Sequence, residues 1–177
     1  MDNKTLELKK ASLNDAEKIT ELVNSVYRGE NSKKGWTTEA EFLGGIRITA
    51  EKIREILESN DDIIFLACDG ENILGCVHLE NSGTHSYLGM LSVEVNYQDK
   101  GIGKFLISEC ERYTKENWKL DKIKIKMKVI NRRIELMEYY YRRGYQSTGE
   151  IEEFIPGPDT FGDPMEKLYF ETLCKDL

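Results

Sequence analysis

No run of apolar residues in this chain approaches the ~20 needed to cross a bilayer, so neither a membrane span nor a membrane partner is expected. The polar N-terminus MDNKTLELKK lacks a signal-peptide core, which makes a cytoplasmic location the expectation. Histidine is scarce, with only His78 and His85. The four cysteines, Cys68, Cys76, Cys110 and Cys174, form no C-x-x-C pair and lie in apolar segments. Buried thiols are therefore expected, rather than a disulfide framework or a metal site. Basic residues are outnumbered, 25 Lys and Arg against 32 Asp and Glu, and the net charge of −7 argues against general nucleic-acid binding. That balance is compatible with a cationic substrate without identifying one. Proline is nearly absent: Pro156, Pro158 and Pro164 all fall in one stretch, which reads as a loop.

What is present fits one soluble domain over residues 1–177, with 40% hydrophobic and 32% charged residues and no internal repeat. Residues 6–10 read as a first strand. Ser12, Asn14 and Asp15 with Glu17 offer caps for a helix whose apolar face is Ile19, Leu22, Val23, Val26 and Tyr27. The polar segment that follows predicts a short helix from Thr38, and another helix is expected over 51–58. Three apolar runs, 63–68, 73–80 and 86–95, are split by Asp69-Gly70 and by Asn81-Ser82-Gly83, which predicts two hairpins. A helix over 101–118, an alternating strand over 122–129, a helix over 133–143 and a strand near 167–173 complete the order.

The most informative stretch is LGMLSVEVNYQDKGIGKF, residues 88–105, in which an apolar strand runs into a Gln98-x-x-Gly101-x-Gly103 turn and then a helix. Ile102, Phe105, Leu106, Cys110 and Tyr113 recur at helical spacing, which puts the glycines at the first turn, where backbone N–H groups lack intrahelical partners. Those donors and the helix dipole favour a phosphate. Gly101 and Gly103 permit close approach of a bulky anion, and Lys100 and Lys104 add charge on either side. A dinucleotide fingerprint would need a third glycine where Leu106 stands, and a P-loop would need Ser or Thr where Phe105 stands. Neither nucleotide motif fits.

The pattern closely resembles the coenzyme A pyrophosphate loop of the GNAT superfamily of N-acetyltransferases. A second block, Tyr140-Tyr141-Arg142-Arg143-Gly144-Tyr145, resembles that family's Tyr-x-x-x-Gly-Phe/Tyr segment, in which a helix ends at glycine and a strand follows. Val95 stands where the family commonly has proline, Asp99 where it has glycine or asparagine, and Asn131 lies two residues further from Gly144 than the usual asparagine. The resemblance implies an α/β (α+β) fold with a mixed, mostly antiparallel central sheet of six to seven strands and helices on both faces. It also implies that the fourth and fifth strands splay apart, so that an acyl-pantetheine arm pairs with the exposed edge at Leu91, Ser92 and Val93.

The implied activity is transfer of an acetyl group from acetyl-CoA to a primary amine by direct attack in a ternary complex, without a metal. The implied donor site comprises Leu91, Ser92, Val93, Gln98, Asp99, Lys100, Gly101, Ile102, Gly103 and Lys104. Tyr140 is the general-acid candidate, four residues before Gly144, and its ordinary pKa of about 10 keeps it protonated at neutral pH. Helical spacing groups Tyr141 with Ile134 and Met137 and predicts a core position for it. Base candidates are Glu80, slightly favoured, His78, His85 and Glu94; Tyr87 occupies a position where some members carry a glutamate. Tyr27 and Trp36 are candidates for contact with the acceptor, a small-molecule or peptide amine. Lysines 122, 124, 126 and 128 form a stripe that reads as a solvated strand face. The chain is expected to act as a monomer or homodimer. A noncatalytic acyl-CoA sensor on the same fold is the alternative from a different functional class.

Overall fold

A computed structural model describes residues 6–119, 123–158 and 160–177. Lys122 of the lysine stripe lies outside the described residues. The elements run β1 (Glu7–Lys10), α1 (Ala16–Tyr27), β2 (Leu43–Gly44), α2 (Ala50–Glu58), β3 (Asp62–Asp69), β4 (Asn72–Asn81), β5 (Ser86–Val93), α3 (Ile102–Asn117), β6 (Lys124–Ile130), α4 (Ile134–Tyr141), β7 (Gln146–Glu153), β8 (Asp163–Pro164) and β9 (Tyr169–Asp176). Seven strands form one sheet in the order β1-β3-β4-β5-β6-β9-β7. All its neighbours pair antiparallel except β5 and β6.

Burial of both sheet faces explains the continuous apolar runs in the central strands. On one face Phe65, Val77, Leu79 and Leu88 pack against Leu106, Ile107 and Cys110 of α3 and Met137 and Tyr140 of α4. On the other, Ile64, Leu66, Cys68 and Cys76 pack against Ala16, Ile19 and Val23 of α1 and Ile53 of α2. The start of α1 is fixed by Asp15, whose carboxylate accepts from the backbone N–H and the hydroxyl of Ser12, both at 2.8 Å. Thr49 caps α2 by accepting from the Lys52 N–H at 3.2 Å. Both expected hairpins form, with Gly70 and Gly83 at positive φ in the turns.

Three expectations are corrected. No helix starts at Thr38; the backbone makes a single turn, with Phe42 and Leu43 N–H groups donating to the Glu39 carbonyl, and enters β2. β2 then pairs with β8 of the proline loop, and together the two segments cover a third cluster of Phe42, Leu43, Phe154 and Leu168. Tyr141 is not in the core: it is 42% exposed and donates its hydroxyl to Glu171. Ile134 is likewise exposed, at 61%. The apolar face of α4, which spans Ile134–Tyr141, is instead Met137 with Tyr140, three residues apart on one side of the helix.

The sheet opens at one place. β5 and β6 pair only at Ser86↔Ile125 and Tyr87↔Lys126, after which the strands diverge, as the resemblance implied. The β4–β5 register shifts between Cys76 and His78, where β5 carries an extra residue and Met90 adopts φ 55°. A methionine in the left-handed region of a strand is strained backbone, and this bulge lies where the gap opens.

Candidate active site

Two cavities meet at the divergence of β5 from β6. The loop-side cavity, about 360 Å³, is lined by Val93, Gln98, Asp99, Gly101, Ile102, Gly103, Lys104, Trp36 and Tyr139, with Arg142 and Arg143. The sheet-side cavity, about 240 Å³, is lined by Arg28, Glu39, Arg47, Tyr87, Lys128, Glu152 and Phe161 among others. Tyr27, Leu91, Arg133, Leu136 and Tyr140 line both. These five side chains are the common wall.

The loop-side cavity is built by the start of α3. Asp99 and Gly101 adopt φ 59° and 84°, which turns the chain into the helix; aspartate is among the few non-glycine residues that tolerate this region. The first helical bond runs from Phe105 N–H to the Gly101 carbonyl, so the N–H groups of Ile102, Gly103 and Lys104 have no partner within α3. A Cβ built on Gly101 meets nothing within 4 Å, whereas one on Gly103 would lie 2.9 Å from the Tyr139 hydroxyl. The guanidinium of Arg143 sits 3.3 Å from the Tyr139 ring centroid and donates to the Tyr139 carbonyl at 2.7 Å, while its Nε is buried without a partner. Lys104, Arg142 and Arg143 thus line, with positive charge, the same cavity as the first-turn residues of α3. This donor set fits a pyrophosphate.

Not every residue expected in this loop faces the cavity. Ser92 is buried and bonds the Met90 carbonyl, and Lys100 donates to the Asn96 carbonyl over the Tyr97 ring. Neither lines the cavity. Gln98 is a tether: its amide donates to the Val93 carbonyl at 3.2 Å and accepts from the Trp36 N–H at 3.2 Å, fastening the segment before β2 to the end of β5. Trp36 lines the loop-side cavity, 5.5 Å from the Tyr139 ring, and not the sheet-side one. Asn131 bonds backbone groups of Tyr169 and lines neither cavity.

Tyr140 owes its place to the end of α4. Gly144, at φ 88°, closes the helix with bonds from the Tyr145 N–H to the Tyr140 carbonyl and from the Gly144 N–H to the Tyr141 carbonyl. Its phenol is buried, and burial raises its pKa far above the ordinary value. Tyr27, also raised by burial, donates to the Leu91 carbonyl at 3.1 Å, which fixes α1 against the edge of β5.

The sheet-side cavity contains a charge cluster that sequence spacing could not reveal. Buried Glu39 accepts from Arg28 Nε at 2.9 Å and from Arg133 Nη1 at 3.2 Å. Burial lowers the Arg28 pKa, and the Glu39 carboxylate opposes that shift. Arg28 also donates to the Ile46 carbonyl at 2.5 Å and the Phe161 carbonyl at 2.6 Å, joining the segment before α2 to the proline loop. Glu80 lines neither cavity, so the favoured base candidate stands away from the common wall. His78 is paired with Asp62 at 2.5 Å, Glu94 caps a turn through the Asn96 N–H, and His85 bonds Thr84. Lys126 and Lys128 of the lysine stripe pair with Glu150 and Glu152 of β7.

Comparison with solved structures places this architecture among N-acetyltransferases. An N-acetyltransferase from Staphylococcus aureus Mu50 superposes with a TM-score of 0.70 at 21% identity, covering 97% of both chains. Arabidopsis thaliana NAA60, in complex with acetyl-CoA, superposes with a TM-score of 0.72 at 14% identity, over 98% of this chain and 99% of that one. The ribosomal-protein-S18-alanine N-acetyltransferase from Escherichia coli gives 0.67 at 10% identity, over 97% and 94%. No curated protein sequence matches the chain. At these identities the likeness establishes the fold. The sequence profile of the Acetyltransferase (GNAT) family matches residues 18–145, spanning the diverging strands, the glycine loop and the helix of Tyr140, and on that match the chain belongs to the GNAT acetyltransferase family.

Proposed function

We propose that this protein transfers an acetyl group from acetyl-CoA to a primary amine by direct attack within a ternary complex. One observation carries the reading: the cavity behind the glycine loop and the cavity between β5 and β6 share a wall at Leu91 and Tyr140. A donor in the first and an acceptor in the second would meet there. The NAA60 structure contains acetyl-CoA, and the same ligand suits the loop-side cavity of this chain.

The N–H groups of Ile102, Gly103 and Lys104 hold the pyrophosphate, with Lys104, Arg142 and Arg143 supplying counter-charge. The edge of β5 at Leu91 and Val93, unpaired by β6 beyond Tyr87, receives the amide-bearing arm as an added strand. Acetyl-CoA supplies the activated acyl group. Holding donor and acceptor at one wall removes most of the entropic cost of bringing them together. As the new nitrogen–carbon bond forms and the carbon–sulfur bond breaks, Tyr140 gives its proton to the departing sulfur. Burial raises the Tyr140 pKa, so the phenol carries that proton at neutral pH. The proton released by nitrogen leaves through water in the sheet-side cavity: Glu80, His78, His85 and Glu94 do not line it, and the two carboxylates that do, Glu39 and Glu152, are engaged by Arg28 with Arg133 and by Lys128.

A noncatalytic sensor would leave Tyr140 and the second cavity without a role. Among the described residues no helix is long and apolar enough to cross a membrane. The test is acetyl-CoA binding followed by thiol release over a panel of primary amines. Ligand at ~100 times its dissociation constant is expected to stabilise the fold by ~2.7 kcal/mol, visible as a thermal shift. No shift at saturation would overturn the proposal; a shift without thiol release for any amine would favour the sensor.

A further inference from the structure

Around Tyr27 the sheet-side cavity holds more positive charge than its carboxylates neutralise. Four cationic side chains, Arg28, Arg47, Lys128 and Arg133, line it against two carboxylates, Glu39 and Glu152. Glu39 is shared by Arg28 and Arg133, and Glu152 is taken by Lys128 at 2.5 Å. Arg47 is left over. No carboxylate or other acceptor bonds its guanidinium among the described residues; the guanidinium lies 5.4 Å from the Tyr27 ring centroid, and that of Arg133 lies 5.2 Å from the same centroid.

Arg47 is held there deliberately by its backbone. Asn24 of α1 accepts from the N–H groups of Arg47 at 2.7 Å and Ile48 at 3.1 Å, and donates to the Ile48 carbonyl at 2.9 Å. Three bonds from one side chain fix the segment that presents the guanidinium. Gathering three guanidiniums in one cavity, with a single carboxylate, Glu39, paired to two of them, is unfavourable on its own, and a bound anion relieves it. A guanidinium fork matches one carboxylate in bidentate fashion.

The walls also limit size. Arg28 ties the Ile46 carbonyl to the Phe161 carbonyl, and β2 pairs with β8, so the two segments flanking this cavity are joined rather than parted as a groove for a polypeptide. The cavity itself is about 240 Å³.

We infer that the acceptor is a small amine carrying its own carboxylate, a free amino acid, whose carboxylate pairs with Arg47 while its amino group faces the common wall at Tyr140. The inference rests on the acyltransferase reading for the role of the amine, but the carboxylate site stands on its own geometry. Residual positive charge nearby also favours the neutral, nucleophilic form of the bound amine, because an ammonium beside guanidiniums is disfavoured. That gives the cavity a means of preparing the nucleophile without an adjacent base.

Two measurements separate the inference from the reading beneath it. In calorimetry on protein saturated with coenzyme A, the twenty protein amino acids are titrated beside their α-amides. At least one acid is expected to bind roughly 10–100-fold more tightly than its amide, the loss of a charge-assisted pair. Arg47→Gln should remove that preference while leaving coenzyme A affinity unchanged, and Arg47→Lys should restore part of it. Thiol release from acetyl-CoA over the same panel should show the difference in KM rather than kcat. Amides bound and acetylated as well as acids, or a preference that survives Arg47→Gln, would overturn the carboxylate site while leaving acetyl transfer intact. Binding of acids without turnover would uphold the site and sink the acyltransferase reading. If a C-terminally amidated peptide were acetylated more efficiently than every free amino acid, a polypeptide N-terminus would be the acceptor and the inference would fail.

Discussion

The three consecutive tyrosines of α4 have three different surroundings, and the chemistry depends on telling them apart. Tyr139 packs between Trp36, Arg143 and the glycine loop; Tyr140 lines both cavities; Tyr141 faces Glu171 at the surface. Tyr140→Phe removes one hydroxyl and almost no volume, so kcat should fall by roughly 10²–10⁴-fold with acetyl-CoA affinity unchanged. Tyr141→Phe serves as the control, losing one long, exposed hydrogen bond and no activity. Steady-state rates at saturating substrate decide between them, and equal rates for Tyr140→Phe and the parent would remove the proton-donor role. Because burial raises the Tyr140 pKa, the parent's kcat should also show no alkaline decline from this phenol as pH approaches ~10.

Between elements, the glycine loop and α4 constrain each other. A side chain at Gly103 would strike the Tyr139 hydroxyl as well as occupy the approach to the α3 N–H groups. Gly103→Val should therefore abolish acetyl-CoA binding in calorimetry while circular dichroism stays native; unchanged affinity would relocate the phosphate site. The elements legible in the sequence were those with strong local signals. Alternation marked β6, the Asp69-Gly70 and Asn81-Ser82-Gly83 turns marked the hairpins, and Gln98-x-x-Gly101-x-Gly103 marked the start of α3. Tyr140 was legible from its spacing to Gly144, and its position in the common wall follows from the closing turn those residues make. What local pattern could not carry was long-range. The Arg28–Glu39–Arg133 cluster joins residues up to 94 positions from Glu39, and β2–β8 joins two-residue strands too short to show a period. Tyr141 was misplaced because Met137 shares a helical side with both Tyr140 and Tyr141, three and four residues on, and in the two turns of α4 the pattern does not decide which of them faces the core.

For the molecule as a whole, the buried charge cluster joins the segment before α2 to the start of α4 and, through Arg28, to the proline loop. Glu39→Ala would leave two buried guanidiniums without their carboxylate, and should cost about 3–5 kcal/mol in urea unfolding. A cost within ~0.5 kcal/mol, typical of a surface substitution, would show that the cluster does not hold these segments together. The larger arrangement is a sheet opened where β5 and β6 diverge, with two cavities that share Tyr140 in their lining; the proposed reaction has donor and acceptor meet there. Its most direct test is the initial-velocity pattern of thiol release, with acetyl-CoA and an accepted amine varied together and the intact protein followed by mass spectrometry. Intersecting double-reciprocal lines with no acetylated protein are expected for direct transfer across the common wall, whereas parallel lines with an acetylated protein formed in the absence of amine would contradict it.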